Sequence, residues 1–189
     1  MAPAMAALAP GIRTGHGARR TPRHPERALE LIFSPDKSVR APMISTTNDS
    51  NFQVSTDRTR LDVPMIYRFL SESSTWAVGI SRSVVEAAIE NSLCFGGYLD
   101  GRQIAFARVV TDYATFANLV DVFVLPEYRG RGYAKQLIRV VMEHPSLQQL
   151  RRFTLNTADA HSLYARFGFT PPVHPDTIME RYYPNIYLS

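Results

Sequence analysis

One stretch limits what this chain can fold into more than any other: Leu119 to Val124, then Leu125-Pro126-Glu127-Tyr128-Arg129-Gly130-Arg131-Gly132-Tyr133-Ala134. The β-branched and aromatic run up to Val124 predicts a buried strand. Pro126 cannot continue a hydrogen-bonded ladder, so the strand stops before it. After Gly132, apolar residues at Ala134, Leu137, Ile138 and Val141 fall at helical spacing with one buried face. Strand, glycine-bearing loop and helix therefore follow one another. The loop lies at a helix start, where backbone N–H groups lack partners and the helix dipole is positive. Such a place suits a phosphate. Gly130 and Gly132 permit positive φ and close approach, and Arg129 and Arg131 add charged donors.

Two common phosphate loops do not match. No Gly-Lys-Ser/Thr follows, as a nucleoside-triphosphate loop requires. The third glycine and downstream ribose-binding acid of a dinucleotide fingerprint are also missing.

The remaining sequence builds a mixed layer around that unit. Phe52 to Ser55 reads as a first strand. Asp62 is a cap for a short helix carrying Met65, Ile66, Phe69 and Leu70, with Pro64 in its first turn. Ser73 to Gly79 has no period and reads as a loop. Ser83-x-x-Glu86 is a capping box for a second helix. Leu93–Leu99, Asp100-Gly101 and Gln103–Thr111 form a hairpin with a type I′ turn signal. Phe116–Val124 is the strand before the phosphate loop, and the helix after it stops at His144-Pro145. Phe153–Asn156 is a further strand. Ala160, Leu163, Tyr164 and Phe167 make one face of a short helix ended by Gly168. Phe169 opens a last strand broken by Pro171-Pro172, with another piece at Ile178–Tyr182. The expected order is β-α-α-β-β-β-α-β-α-β, an α/β (α+β) mixed sheet with helices on its faces.

Residues 1–50 differ in kind. They carry six prolines among Ala, Gly, Arg, Ser and Thr, and no period lasts, so they read as a disordered basic extension ahead of a domain at 51–189. A transit peptide and a start at Met43 are the other readings, and the lack of helical amphipathicity weighs against the first of these. The net charge of +4 resides wholly in this region: residues 1–48 hold seven basic and three acidic residues, and the remainder balances at fourteen each. Charge balance thus implies no nucleic-acid groove on the domain. No apolar run approaches the roughly 18 residues of a membrane span, and no membrane partner is expected. The single cysteine, Cys94, excludes an internal disulfide and fits a reducing compartment. Its apolar neighbours make it a buried thiol rather than a nucleophile. A cytoplasmic location is expected. The histidines are scattered without the spaced partners a metal needs, so no metal is expected.

The spacing Arg129-x-x-Gly132-x-Ala134, between strand and helix, resembles the pyrophosphate loop of the GCN5-related N-acetyltransferases (GNAT). Leu163-Tyr164-Ala165-Arg166-Phe167-Gly168-Phe169 is similar to that family's late Leu-Tyr-x-x-x-Gly-Phe segment, and the resemblance spans about residues 51–181. The stretch from Val120-Asp121 to Gly130 looks closest to the polyamine branch, which has an acidic pair where this chain has Val120-Asp121. Thr157 stands where the family often has Asn. The resemblance implies the acyl-CoA N-acyltransferase fold and transfer of acetyl from acetyl-CoA to a small-molecule primary amine by direct attack. A protein or peptide amine, or a coenzyme-binding module without efficient chemistry, are the alternatives. A homodimer is compatible with the resemblance.

It also implies roles. Val122, Phe123 and Val124 border the pantetheine arm, a free N–H at Val124 faces the thioester oxygen, and Gly130 to Lys135, with Arg129, Arg131, Tyr133 and Ala134, hold the pyrophosphate. Asn156 is a further coenzyme contact. Tyr164 is the general acid, placed to protonate a departing thiolate; lying on an apolar stripe, it also reads as core. Asp121 reads either as base or substrate contact or as a structural partner, because alternation puts it opposite Val120 unless a bulge intervenes. His161, one turn before Tyr164, is an assisting group or a solvated residue. Tyr67, Trp76, Arg108, Asp112 and Tyr113 are candidates to line the acceptor site, with aromatic walls suited to an aromatic amine or a cation.

Overall fold

Each strand lies beside its predecessor in the chain. The structure is a computed structural model that describes residues 51–188, so the readings of residues 1–50 lie outside the described residues. Strands β1 (Phe52–Ser55), β2 (Leu93–Leu99), β3 (Arg102–Thr111), β4 (Phe116–Val124) and β5 (Arg152–Leu155) form one sheet in that order. The pairs are antiparallel except β4 with β5, which is parallel. A parallel neighbour needs a crossover, and helix α3 (Tyr133–Glu143) supplies it.

The hairpin between β2 and β3 turns at Asp100 (φ 49°) and Gly101 (φ 82°). Positive φ at both central residues matches the twist of the strands it joins. Helix α1 (Val63–Arg68) begins as expected: Asp62 accepts from the Met65 N–H at 3.0 Å, and Pro64 sits in the first turn. The chain continues through a wider π turn, Phe69–Ser73. Asp62→Ala should lower unfolding stability by about 1 kcal/mol, read from urea melts with an unchanged slope.

Helix α2 (Arg82–Glu90) departs from the sequence reading. It starts one residue before Ser83, Ser81 is its N-cap, and Glu86 pairs with Arg82 at 2.8 Å. An i,i+4 ion pair has taken the glutamate that the capping box would have used. The strand expected from Phe169 is also not formed. After helix α4 (His161–Ala165), residues up to 188 hold a short turn at Pro175–Thr177 and no strand. Pro171 and Pro172 remove the donors a ladder needs, and Ile178, Met179, Tyr182 and Tyr183 are exposed.

The sheet separates two apolar layers. On one face, Ala105, Ala107, Val109, Ala117 and Leu119 pack with Leu137, Ile138 and Val141 of α3. On the other, Cys94, Phe106 and Phe123 pack with Ile66, Phe69 and Leu70 and with Val85 and Ile89 of α2. Phe69 stacks on Phe123 with centroids 3.8 Å apart. Cys94 is buried, and burial pushes its thiol up to about 11. That makes it a poor nucleophile at neutral pH.

Candidate active site

The site is organised by one extra residue in β4. Val120 lies opposite Arg108 and Phe123 opposite Phe106, so Asp121 and Val122 together face the single residue Ala107. This is a β-bulge, and Asp121 carries its strain at φ 52°. The bulge reverses the alternation. Ala117 and Leu119 belong to the α3 face before it, and Val122 and Val124 belong there after it. Asp121 is thereby turned towards the α1/α2 face. There its Oδ2 accepts from Arg108 Nε at 2.8 Å and Nη2 at 2.7 Å, and its Oδ1 accepts from the Trp76 indole at 3.0 Å. Arg108 Nη1 donates to Ser92 Oγ at 2.9 Å. The pair is largely shielded from solvent, with side-chain exposures of 16% and 13%. Both charges are paired, which burial requires.

Beyond the bulge, β4 has lost a neighbour. Its pairing with β5 ends at Leu119 and Leu155, five residues short of Val124. On the other edge, the Leu125 N–H donates to Ile104 O at 2.9 Å. Antiparallel alternation therefore turns the N–H and C=O of Val124 away from β3, into the space that β5 has left. Arg129 Nε reaches back to Val124 O at 3.0 Å, which ties the loop to the strand end.

The loop then opens α3. Gly132 is the N-cap at φ 82°, ψ 1°, and Gly130 has φ 76°. The first bonded amide of the helix is Gln136, to Gly132 O at 3.1 Å. The amides of Tyr133, Ala134 and Lys135 consequently have no acceptor within the helix. A Cβ at Gly130 or Gly132 would meet nothing within 4 Å, so the loop's outer side is open. Arg131 lies along the loop, donating to Glu127 O at 3.2 Å. These features fit a diphosphate at the helix start. Tyr133 differs from its neighbours: its ring is buried and stacked on Phe52 at 4.7 Å. Only its backbone can serve an anion.

Tyr164 stands on α4 with its ring buried and edge-on to Phe169 at 6.0 Å. Its hydroxyl makes no hydrogen bond among the described residues, yet the one sealed, unpartnered side-chain oxygen among them belongs to Tyr98. The Tyr164 hydroxyl is therefore in reach of solvent or a ligand. Burial, then the Asp159 carboxylate, pushes its pKa up, so the phenol keeps its proton. Thr157 Oγ1 accepts from the Ala160 N–H at 3.0 Å and fixes the entry to α4. Asn156 is exposed just past β5, and His161 is exposed at the start of α4.

A cavity of about 150 Å³ opens on the α1/α2 side of the bulge, where Trp76, Arg108 and Asp121 meet. Its other walls are Leu70, Ala77, Ile80, Val84, Val85, Ala88, Ile89, Phe106 and Tyr187. The Trp76 loop is pinned from below. The buried Ser74 hydroxyl donates to Leu70 O at 2.6 Å and accepts from the Ala77 N–H at 3.1 Å. Three of the expected acceptor residues lie elsewhere. Asp112 is consumed by the β3–β4 turn, accepting from the amides of Ala114, Thr115 and Phe116 and from the Thr115 hydroxyl. Those bonds hold its carboxyl well below the usual range. Tyr113, at φ 60°, is exposed on the same turn. Tyr67 packs half-buried against the α1/α2 core. Conversely, Ser92 and Tyr187 were not anticipated. Ser92 lies between α2 and β2 with no motif around it, and Tyr187 comes from the far end of the chain.

Among the described residues, no three or more His, Cys, Asp or Glu side chains gather as for a metal ion, and no helix is long and apolar enough to cross a membrane.

Comparisons with known proteins agree on one family. Residues 63–169 match the model of the acetyltransferase (GNAT) family. A Gibberella zeae protein described as a candidate acetyltransferase, FG08082, is 30% identical over 151 residues, covering 66% of this chain and 84% of that protein. A crystal structure of a GNAT-family protein from Xanthomonas campestris pv. campestris is 60% identical. It superposes with a TM-score of 0.72 over 73% of this chain and 97% of that one. Protein SA2161 of meticillin-resistant Staphylococcus aureus is 25% identical with a TM-score of 0.55, over 70% of this chain and 99% of its own.

Proposed function

The chain belongs to the acetyltransferase (GNAT) family, and from that premise we propose that it transfers the acetyl group of acetyl-CoA to the primary amine of a small molecule by direct attack. One observation carries the reading. The strand end from Asp121 to Val124 borders the space left by β5 along one edge, and its Asp121 lines a small cavity on one face. A donor and an acceptor held on those two sides would meet across the bulge.

Acetyl-CoA supplies an acetyl group activated as a thioester. The chain's own groups do the rest. The backbones of Val122 and Val124 take the pantetheine arm as an added strand. The amides from Gly130 to Lys135 take its diphosphate, with Arg129 and Arg131 alongside. The Val124 N–H faces the carbonyl oxygen as a fixed donor. Tyr164 Oη holds the proton destined for the departing sulfur. Asp121 takes the substrate-contact role. Arg108 and Trp76 occupy part of its acceptor capacity, and a carboxylate has lone pairs to spare for an amine N–H.

A small acceptor is supported by the cavity's limits. Trp76 is tied across to Asp121, and Tyr187 forms another wall. A protein N-terminus or lysine brings a main chain that this enclosure has little room to admit.

The test is release of free thiol from acetyl-CoA across a panel of primary amines. Turnover with small amines and none with peptides is expected. No turnover with any amine, alongside tight coenzyme binding, would make the chain a binding module.

A further inference from the structure

The chemistry of the cavity narrows the acceptor, and this inference rests on the acetyl-transfer reading. Of the twelve residues that line it, ten are apolar or aromatic, and the two charged ones neutralise each other. The charge of Arg108 is matched by Asp121, and three of its five N–H are engaged. Its Nε and Nη2 are on Asp121 and its Nη1 is on Ser92. An amino acid with a free carboxylate, or a sugar phosphate, would find no unpaired cation there. A polyamine fares no better, since Asp121 is the lone carboxylate in the lining and a second ammonium would have no counter-charge there. The volume of about 150 Å³ matches a cavity that holds one benzene ring. Apolar walls also disfavour the ammonium form of a bound amine. They would thus help to present the neutral nucleophile.

We infer that the acceptor is a primary amine with a compact, uncharged apolar body of about one six-membered ring, an arylalkylamine or its alicyclic equivalent. The ring packs among Ile80, Val84, Val85, Ala88 and Phe106, with the amine at Asp121.

The chain has a single tryptophan, Trp76, so its emission reports on the cavity whether or not turnover follows. The probes are 2-phenylethylamine, spermidine and alanine, each titrated against the full-length protein with and without acetyl-CoA. 2-Phenylethylamine should change Trp76 emission saturably and be acetylated with a kcat/KM on the order of 100-fold above spermidine or alanine, as burying a ring implies. Ala88→Leu, which fills the cavity from a half-buried helical position, should weaken the 2-phenylethylamine response at least about tenfold. Its affinity for acetyl-CoA should not change. If spermidine or alanine is the better substrate, or Ala88→Leu leaves 2-phenylethylamine unaffected, the proposed class is wrong while acetyl transfer stands. If 2-phenylethylamine binds at Trp76 but no amine releases thiol, the acetyl-transfer reading fails and the assignment of the cavity survives.

Discussion

Gly132→Glu should abolish coenzyme binding, with affinity for acetyl-CoA falling more than about 100-fold. Gly132 caps α3 at φ 82°, and a Cβ placed on it meets nothing within 4 Å. The substitution therefore costs only the strain of a left-handed residue, on the order of 1–2 kcal/mol, and the fold should hold. A carboxylate at a helix start is even slightly favourable to the helix. It would, however, stand among the amides that are to receive a diphosphate. Like charges juxtaposed in a binding site cost several kcal/mol, and each 1.4 kcal/mol is about tenfold in affinity. Gly132→Ala separates the causes, since it carries the same strain without the charge and should bind far better than the glutamate. Calorimetry reads both, and an unchanged affinity in Gly132→Glu would move the coenzyme off this loop.

Tyr164→Phe is expected to keep coenzyme affinity and lower kcat by about 10²–10³-fold, the usual worth of a placed general acid. The ring is buried against Phe169, and phenylalanine preserves that packing. Only the hydroxyl is lost, and among the described residues it holds no partner whose absence could disturb the fold. The pH profile gives a second readout. Burial raises the phenol above its ordinary value of 10.0, so wild-type activity should lose its acid only as pH rises beyond that value. The variant should lack that alkaline limb. An unaltered kcat would reduce Tyr164 to a core residue.

What could be read before the fold was seen is what local chemistry decides. Phe116–Val124, the Asp100-Gly101 turn, the Asp62 cap and the helix from Gly132 depend on residues within a few positions of each other. The orientation of Asp121 does not. Strand alternation alone puts it on the α3 face, and a bulge set by pairing with β3 turns it to Arg108 and Trp76. Asp112 was as plausible a site residue in sequence, but its own turn holds it with four hydrogen bonds, away from the cavity. Glu86 likewise had two partners on offer, and Arg82 won it. Tyr187 has no local signature, because its place on the cavity wall follows from how the last residues lie against the α1/α2 layer. Local patterns name candidate groups; long-range packing chooses among them.

In the proposed reaction, the strand end at Asp121–Val124 brings an acetyl donor and a small amine together. The most direct measurement is the stoichiometry of the reaction with acetyl-CoA and the preferred amine, counting free thiol and acetylated amine in the same sample. One acetylated amine for each thiol released is the result expected. Thiol released without acetylated amine, or acetyl lodged on the protein instead, would contradict direct transfer at this site.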